Sequence, residues 1–178
     1  MKTAQNEINI LALVPHRDAR KLLRDWSASL FTAGVHGAWS FPWVAPLKLL
    51  DNPLSGNEFK ELTRNIRQNN EIFTTGEAVS IPFPMDFSDN DKIFLYGVKL
   101  EESITPSHSS TKEGVIIIGA ALHYGTLPEN LPAPPKISFR AAALANMSFG
   151  TLACGSEQGG FSFEWNIGEL KWLPKMGN

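Results

Sequence analysis

The sequence predicts an α+β fold, in which two helices pack against sheets built from about seven strands. Two segments carry apolar residues three and four positions apart, as amphipathic helices do. The other apolar segments are short or alternate with polar residues, as strands do. The 178 residues, of which 43% are hydrophobic and 19% are charged, suit one domain over residues 1–178, or two small lobes that share a core.

The first half of the chain holds both predicted helices. Residues 8–14 (INILALV) form a short apolar run between polar residues, which predicts a buried strand. We expect the first helix at about residues 18–32, where the apolar positions share one face. We expect the second helix over residues 55–70, because Ser55 and Glu58 have the spacing of a capping box.

The segment between the helices is the most informative part of the chain. Residues 37–50 (GAWSFPWVAPLKLL) are apolar and aromatic enough to form a buried strand. They also contain Ser40, Pro42 and Pro46, and a central strand avoids proline because proline donates no hydrogen bond to the ladder. We therefore expect a strand that the prolines break into shorter pieces and that lines a cleft.

Strands predominate after the second helix. The apolar segments predict strands at residues 78–83, 93–100, 115–124, 137–149 and 161–173. The last of these alternates apolar and polar residues up to Gly168, where the phase slips by one position. Such a slip predicts a β-bulge at Gly168.

Composition excludes several classes of protein. The net charge is −2 and no basic patch is apparent, so an RNA partner would have to be bound without the basic surface that is usual for such proteins. No apolar run reaches the ~20 residues that a membrane-spanning helix needs, and the first residues lack the pattern of a signal peptide. The single cysteine, Cys154, cannot form an intramolecular disulfide. We expect a cytoplasmic protein with no membrane partner.

No cofactor or metal is expected from the motifs. The chain lacks a Walker loop and a GxGxxG sequence. None of its four histidines has the spacing of a zinc site: His16, His36, His108 and His123. Any chemistry must therefore come from side chains that are distant in sequence.

The order of elements and the apolar character of the strands resemble those of the 2H phosphoesterase superfamily, which comprises the LigT-like and cyclic-phosphodiesterase-like proteins. Residues 8–32, the lead-in at residues 33–35 and the helix at residues 55–70 resemble its first half. Residues 137–149 and the closing FSFEWNIGELKWL resemble the end of its second half. The resemblance implies bilobal antiparallel sheets with two main helices packed outside, and two lobes that share one cleft.

In that family two central strands each carry His-x-Thr/Ser, and the two histidines act as base and acid on 2′,3′-cyclic phosphates. In this chain the motifs would fall at residues 40–42 and 140–142, where Ser40 and Arg140 stand in place of the histidines. A serine without a base is a poor proton acceptor, and arginine stays protonated in proteins. The two-histidine mechanism is therefore not available from these positions.

The first function that follows is a non-catalytic binding protein, which keeps the cleft for a nucleotide or another phosphate-bearing small molecule. Ser40 and Arg140 would contact this ligand, because the guanidinium fork suits phosphate. Trp39 and Trp43 would offer a surface on which a base stacks.

Two other functions remain open. The chain would be a phosphoric diester hydrolase if His36 and His123 formed the acid–base couple in a shifted geometry. It would be a structural or interaction module if neither set of residues binds a ligand.

Overall fold

The computed structural model describes residues 7–39, 41–65, 72–83, 93–101, 117–139, 142–153 and 161–172. The elements in chain order are β1 (Glu7–Pro15), α1 (Arg17–Thr32), a 3₁₀ helix (His36–Trp39), β2 (Ala45–Leu50), α2 (Gly56–Asn65), β3 (Ile72–Pro82), β4 (Ile93–Leu100), β5 (Ile117–Tyr124), β6 (Ser138–Phe139), β7 (Ala142–Ala153) and β8 (Phe161–Trp172). Two helices and two antiparallel sheets confirm the predicted α+β class.

The first sheet has the strand order β2-β1-β7-β8, and the second has the order β5-β4-β3-β6. Strand β1 is central and is buried on both faces. Its Leu11 and Leu13 pack with α1, whereas Ile10, Ala12 and Val14 pack against the second sheet. This double burial explains why INILALV is apolar at every position except Asn9 instead of alternating.

Helix α1 covers the line along which the two sheets meet. Its buried face packs against β1 of the first sheet and against β4 and β5 of the second. The indole N–H of Trp26 donates to the carbonyl of Pro132 at 2.9 Å, and the Ser27 hydroxyl donates to the carbonyl of Ala120 at 3.2 Å. No helix among the described residues is both long and apolar enough to span a bilayer.

Two local predictions are confirmed at the residues that carry them. The backbone N–H of Ser55 donates to Oε2 of Glu58 at 2.8 Å and the N–H of Glu58 donates to the Ser55 hydroxyl, so α2 begins with a capping box. These contacts with Ser55 lower the pKa of the Glu58 carboxyl. In β8, Gly168 is an extra residue between two paired positions, which is the predicted bulge. The last part of the predicted second helix, residues 66–70, lies outside the described residues.

The strand predicted over residues 37–50 is wrong in its first part, because His36–Trp39 form a 3₁₀ helix and β2 begins only at Ala45. The cause is a tertiary contact with β5. Gly37 lies so close to β5 that a Cβ on it would overlap the backbone of Leu122. Between the helices the described residues therefore form one strand, β2, in place of the several short pieces that were expected.

Other strand boundaries also differ from the prediction. Strand β3 begins at Ile72 and not at residue 78. Its pairing with β4 is irregular between Thr74 and Ala78, where Gly76 has a φ of 74°, and this irregularity hides the alternation. The strand predicted at residues 137–149 is divided: Ser138–Phe139 pair with β3, whereas β7 begins at Ala142 and pairs with β1.

The facing surfaces of the two sheets enclose an apolar core. Phe41 lies at its centre, with ring centroids 5.9 Å from Phe83 and 4.6 Å from Trp165, edge to face in both cases. Phe41 and Val44, three residues further on, belong to the same buried cluster as Ala143, Ala145 and Met147 of β7. The described parts of residues 37–50 and 137–149 therefore meet through packed side chains.

Candidate functional site

Two polar side chains meet on one face of the second sheet. Ser80 on β3 pairs with Tyr96 on β4, and Phe94 on β4 pairs with His123 on β5. Because paired residues and residues two apart share a face, all four side chains lie on the same side of the sheet. Nε2 of His123 lies 2.8 Å from the hydroxyl oxygen of the exposed Ser80, so the imidazole reaches across the middle strand.

Two aromatic rings hold the imidazole of His123 in place. Phe94 stacks on it, with centroids 5.3 Å apart and planes at 17°. Tyr96 meets it edge to face at 6.5 Å, and the Tyr96 ring also contacts Trp26 of α1, with centroids 5.7 Å apart. Burial raises the pKa of the Tyr96 phenol, so Tyr96 is neutral at physiological pH. The environment of the imidazole is thus mainly apolar.

The same environment keeps His123 uncharged. Burial lowers the pKa of the imidazole from its ordinary value, and the backbone of Gly125 opposes the shift only in part. Nδ1 is buried and has no partner at full hydrogen-bond geometry within the described residues, although the Gly125 backbone lies close enough to favour the protonated ring. Either tautomer satisfies the contact with Ser80. With its proton on Nδ1, the ring accepts a hydrogen bond from the Ser80 hydroxyl at Nε2, and this unprotonated nitrogen is the atom through which an imidazole acts as a base.

His36, the other predicted catalytic residue, has different contacts. It begins the 3₁₀ helix, is exposed, and meets Phe31 edge to face at 6.0 Å. The backbone brings the two histidine-bearing segments together, since Gly37 contacts the backbone of Leu122, the residue before His123. The two imidazoles, however, pack against separate sets of side chains.

Trp39 and Trp43, both predicted to bind a ligand, form a pair at the same edge of the sheet. Their ring centroids are 6.3 Å apart and their planes are at 83°. The indole N–H of Trp43 donates to the buried Ser27 hydroxyl at 2.9 Å, which fixes this ring. Trp39 is 50% exposed, so its ring is open to a ligand. The other two predicted contacts, Ser40 and Arg140, lie outside the described residues.

Ser80 was not selected from the sequence, although a signal for it exists. In the strand predicted at residues 78–83, alternation places the Ser80 side chain on the opposite face of the strand from Val79 and Ile81. Three consecutive strands that pair as a meander would then bring it to the face that carries His123. Within the described ranges, no cluster of three or more His, Cys, Asp or Glu side chains is arranged to hold a metal ion.

Comparison of the chain with protein-family models, with curated proteins and with solved structures found no match in any of the three. The function is therefore inferred from the side chains themselves.

Proposed function

We propose that the protein binds a nucleotide or another small phosphate-bearing molecule on the face of the second sheet where Ser80 and His123 meet. The observation that carries the proposal is the 2.8 Å contact between the Ser80 hydroxyl and Nε2 of His123 at an exposed position. A hydroxyl and an imidazole N–H are neutral groups that can donate hydrogen bonds to a phosphate oxygen. Arg140, predicted from the sequence as a contact for the phosphate, remains part of this proposal.

Aromatic surfaces favour a nucleotide over a simple phosphate. Trp39 offers an exposed ring whose orientation is fixed against Trp43. Base stacking on such a ring contributes ~1–3 kcal/mol for each base. The segment that carries Trp39 contacts β5 directly before His123, so both groups belong to the same edge of the second sheet.

The test is a titration of the protein with 3′-AMP, 2′,3′-cyclic AMP and inorganic phosphate, followed by the NMR signals of the His123 ring. We expect a saturable shift of these signals. Ser80→Ala should weaken binding about tenfold, because it removes one hydrogen bond to a charged group. Thr75→Ala is the matched control, since Thr75 is an exposed hydroxyl residue on the same strand. The proposal is wrong if no ligand gives a saturable shift, or if both variants weaken binding equally.

The contribution of the indole ring is tested separately. Trp39→Ala should weaken binding of the nucleotides and leave binding of inorganic phosphate unchanged. Trp172→Ala is the control, because Trp172 is 47% exposed and lies in the other sheet. Equal losses for nucleotide and phosphate would remove stacking from the proposal.

A second candidate function is hydrolysis of a phosphodiester, and one observation favours it: Nε2 of His123 already contacts a hydroxyl, in surroundings whose burial lowers the pKa of the imidazole. Its Nε2 would take a proton from the water that attacks phosphorus, and His36 would protonate the leaving oxygen. Ring opening of 2′,3′-cyclic AMP that disappears in His123→Gln and in His36→Gln would support this function. Activity that survives in His123→Gln would exclude it.

We also propose, from the order of elements, that the chain is a divergent relative of the 2H phosphoesterases. The α+β class with two antiparallel sheets is compatible with this kinship. If no phosphate-bearing ligand binds, the remaining candidate is the interaction module.

A further inference from the structure

Among the described residues, strand β8 forms one edge of the first sheet. It is the last strand of that sheet and is 12 residues long, and no described strand pairs with its other side. Three large apolar side chains on it are exposed: Ile167 at 49%, Leu170 at 43% and Trp172 at 47%. Soluble proteins normally protect such an edge, because its free N–H and C=O groups pair readily with another strand.

The bulge at Gly168 keeps the three apolar side chains on one face. Ile167 pairs with Met147, Leu170 with Ala145 and Trp172 with Ala143, and these three β7 residues all belong to the core between the sheets. The apolar face of the first sheet thus continues past the part that the second sheet covers. We call Ile167, Leu170 and Trp172 the β8 stripe.

We propose that β8 pairs with β8 of a second copy of this chain, antiparallel across a two-fold axis, so that the two first sheets become one continuous sheet. Up to Ile167 the apolar face holds odd-numbered positions, and beyond Gly168 it holds even-numbered ones. A second β8 strand, running antiparallel, carries the same change of phase in reverse. With the axis between Ile167 and Gly168, Trp165 faces the second copy's Leu170 and the apolar faces coincide.

The polar face of β8 selects the same register. Asn166 then faces the second copy's Glu169, so that an amide can donate to a carboxylate. Lys171 faces the position where the sequence has Glu164, which places opposite charges together. With the axis on Ile167 itself, Trp165 would instead face a carboxylate. Complementary charge and matched faces therefore favour a second copy over an unrelated strand.

Sedimentation velocity over a range of protein concentrations tests the pairing. The unmodified protein should show a concentration-dependent dimer. Leu170→Lys should raise the dimer dissociation constant about tenfold or more, because it would bury an unpaired charge. Leu22→Lys is the matched control, since Leu22 is 45% exposed on α1 and should leave the dimer unchanged.

A monomer at every concentration would overturn the proposal, and so would a dimer that Leu170→Lys does not weaken. Far-ultraviolet circular dichroism of both variants should match that of the unmodified protein, because both positions are exposed. A complex with a different protein and no self-association would equally overturn it.

Disulfide cross-linking tests the register independently. In a Cys154→Ser background, an equimolar mixture of Asn166→Cys and Glu169→Cys should form a linked dimer, because facing Cβ atoms on paired strands lie ~5 Å apart. Each variant alone should link more slowly, since its two cysteines are offset by three residues, roughly 10 Å. Faster linking in either single-variant sample would overturn the register.

Discussion

The outer edges of the two sheets are protected differently. At β5, the edge segment (residues 36–39 and 41–44) lies along the strand: Val44 accepts a hydrogen bond from the N–H of Gly119 at 3.1 Å, and Gly37 lies against Leu122. At β8, by contrast, no described strand pairs with the outer side, and the β8 stripe is exposed.

The difference shows which sheet edge the chain covers with its own backbone. The covered edge belongs to the strand that carries His123, so the imidazole and its neighbours are held by contacts within one molecule. The bare edge belongs to β8, which at 12 residues is the longest edge strand in the described part of the chain. Closing the first edge and leaving the second open separates the candidate binding site from the candidate interface.

The largest expected effect is that of Gly37→Ala at the covered edge. A Cβ at this position would overlap the backbone of Leu122, and neither backbone can move without losing the packing of the edge segment on β5. We expect the free energy of unfolding to fall by about 3 kcal/mol or more. Urea denaturation followed by tryptophan fluorescence measures this loss.

Gly168→Ala, at the bare edge, is the matched control. A Cβ there would lie 3.4 Å from the carbonyl oxygen of Asn146, which requires only a small adjustment. Its effect should stay within ~1 kcal/mol. Equal losses at the two glycines would contradict the contrast between the edges.

The next largest effect is expected for Ser27→Ala. The Ser27 hydroxyl is fully buried, accepts from the indole N–H of Trp43 and donates to the carbonyl of Ala120, so it connects α1, the edge segment and β5. Its removal leaves the Trp43 indole N–H and the Ala120 carbonyl without this partner, which costs about 1–3 kcal/mol of stability. Thermal and urea unfolding measure the change.

Ser29→Ala serves as the control for Ser27→Ala, because the exposed Ser29 hydroxyl bonds only within its own helix, to the carbonyl of Asp25. We expect a change within ~0.5 kcal/mol. A loss in Ser29→Ala as large as that in Ser27→Ala would show that the buried link carries no special weight.

The covered edge also marks the limit of what the sequence could predict. Helix α1, the capping box at Ser55 and the bulge at Gly168 depend on residues within a few positions of one another, and all three were predictable. The 3₁₀ helix at His36–Trp39 was not, because its conformation is decided by contact with β5, some 80 residues away in sequence.

The candidate site shows the same division. Trp39, Trp43 and His123 could be selected by residue type alone. Ser80 could not, because its role depends on which strands become neighbours, and the order β5-β4-β3 is a property of the folded chain. Periodicity predicts which face a residue occupies but not which strand lies beside it.

The pH dependence of stability tests the apolar surroundings of His123 at the covered edge. Its pKa is lower in the folded than in the unfolded chain, so the unfolded state binds more protons at mildly acidic pH. The stability that the neutral imidazole contributes is fully present above its pKa in the unfolded chain, about 6.5. It is lost as the pH falls towards the pKa in the folded chain. The free energy of unfolding should therefore decrease on acidification from pH 7 to pH 5.

His123→Gln is the variant for this comparison, because glutamine does not titrate and still reaches Ser80 with an amide. The decrease between pH 7 and pH 5 should become smaller than in the unmodified protein. An unchanged pH profile would mean that the imidazole protonates as easily in the folded chain as in the unfolded one.

The smallest expected effect is that of Ile167→Thr on the stability of the isolated monomer. Ile167 is exposed, and threonine keeps the β-branched shape that suits a strand, so the free energy of unfolding at low protein concentration should change by no more than ~0.5 kcal/mol. The unmodified protein should gain in Tm as its concentration rises, since association stabilises the folded state, and the variant should gain less. A loss above ~1 kcal/mol at low concentration would show instead that the β8 stripe is covered within a single molecule, and the contrast between the two edges would then disappear.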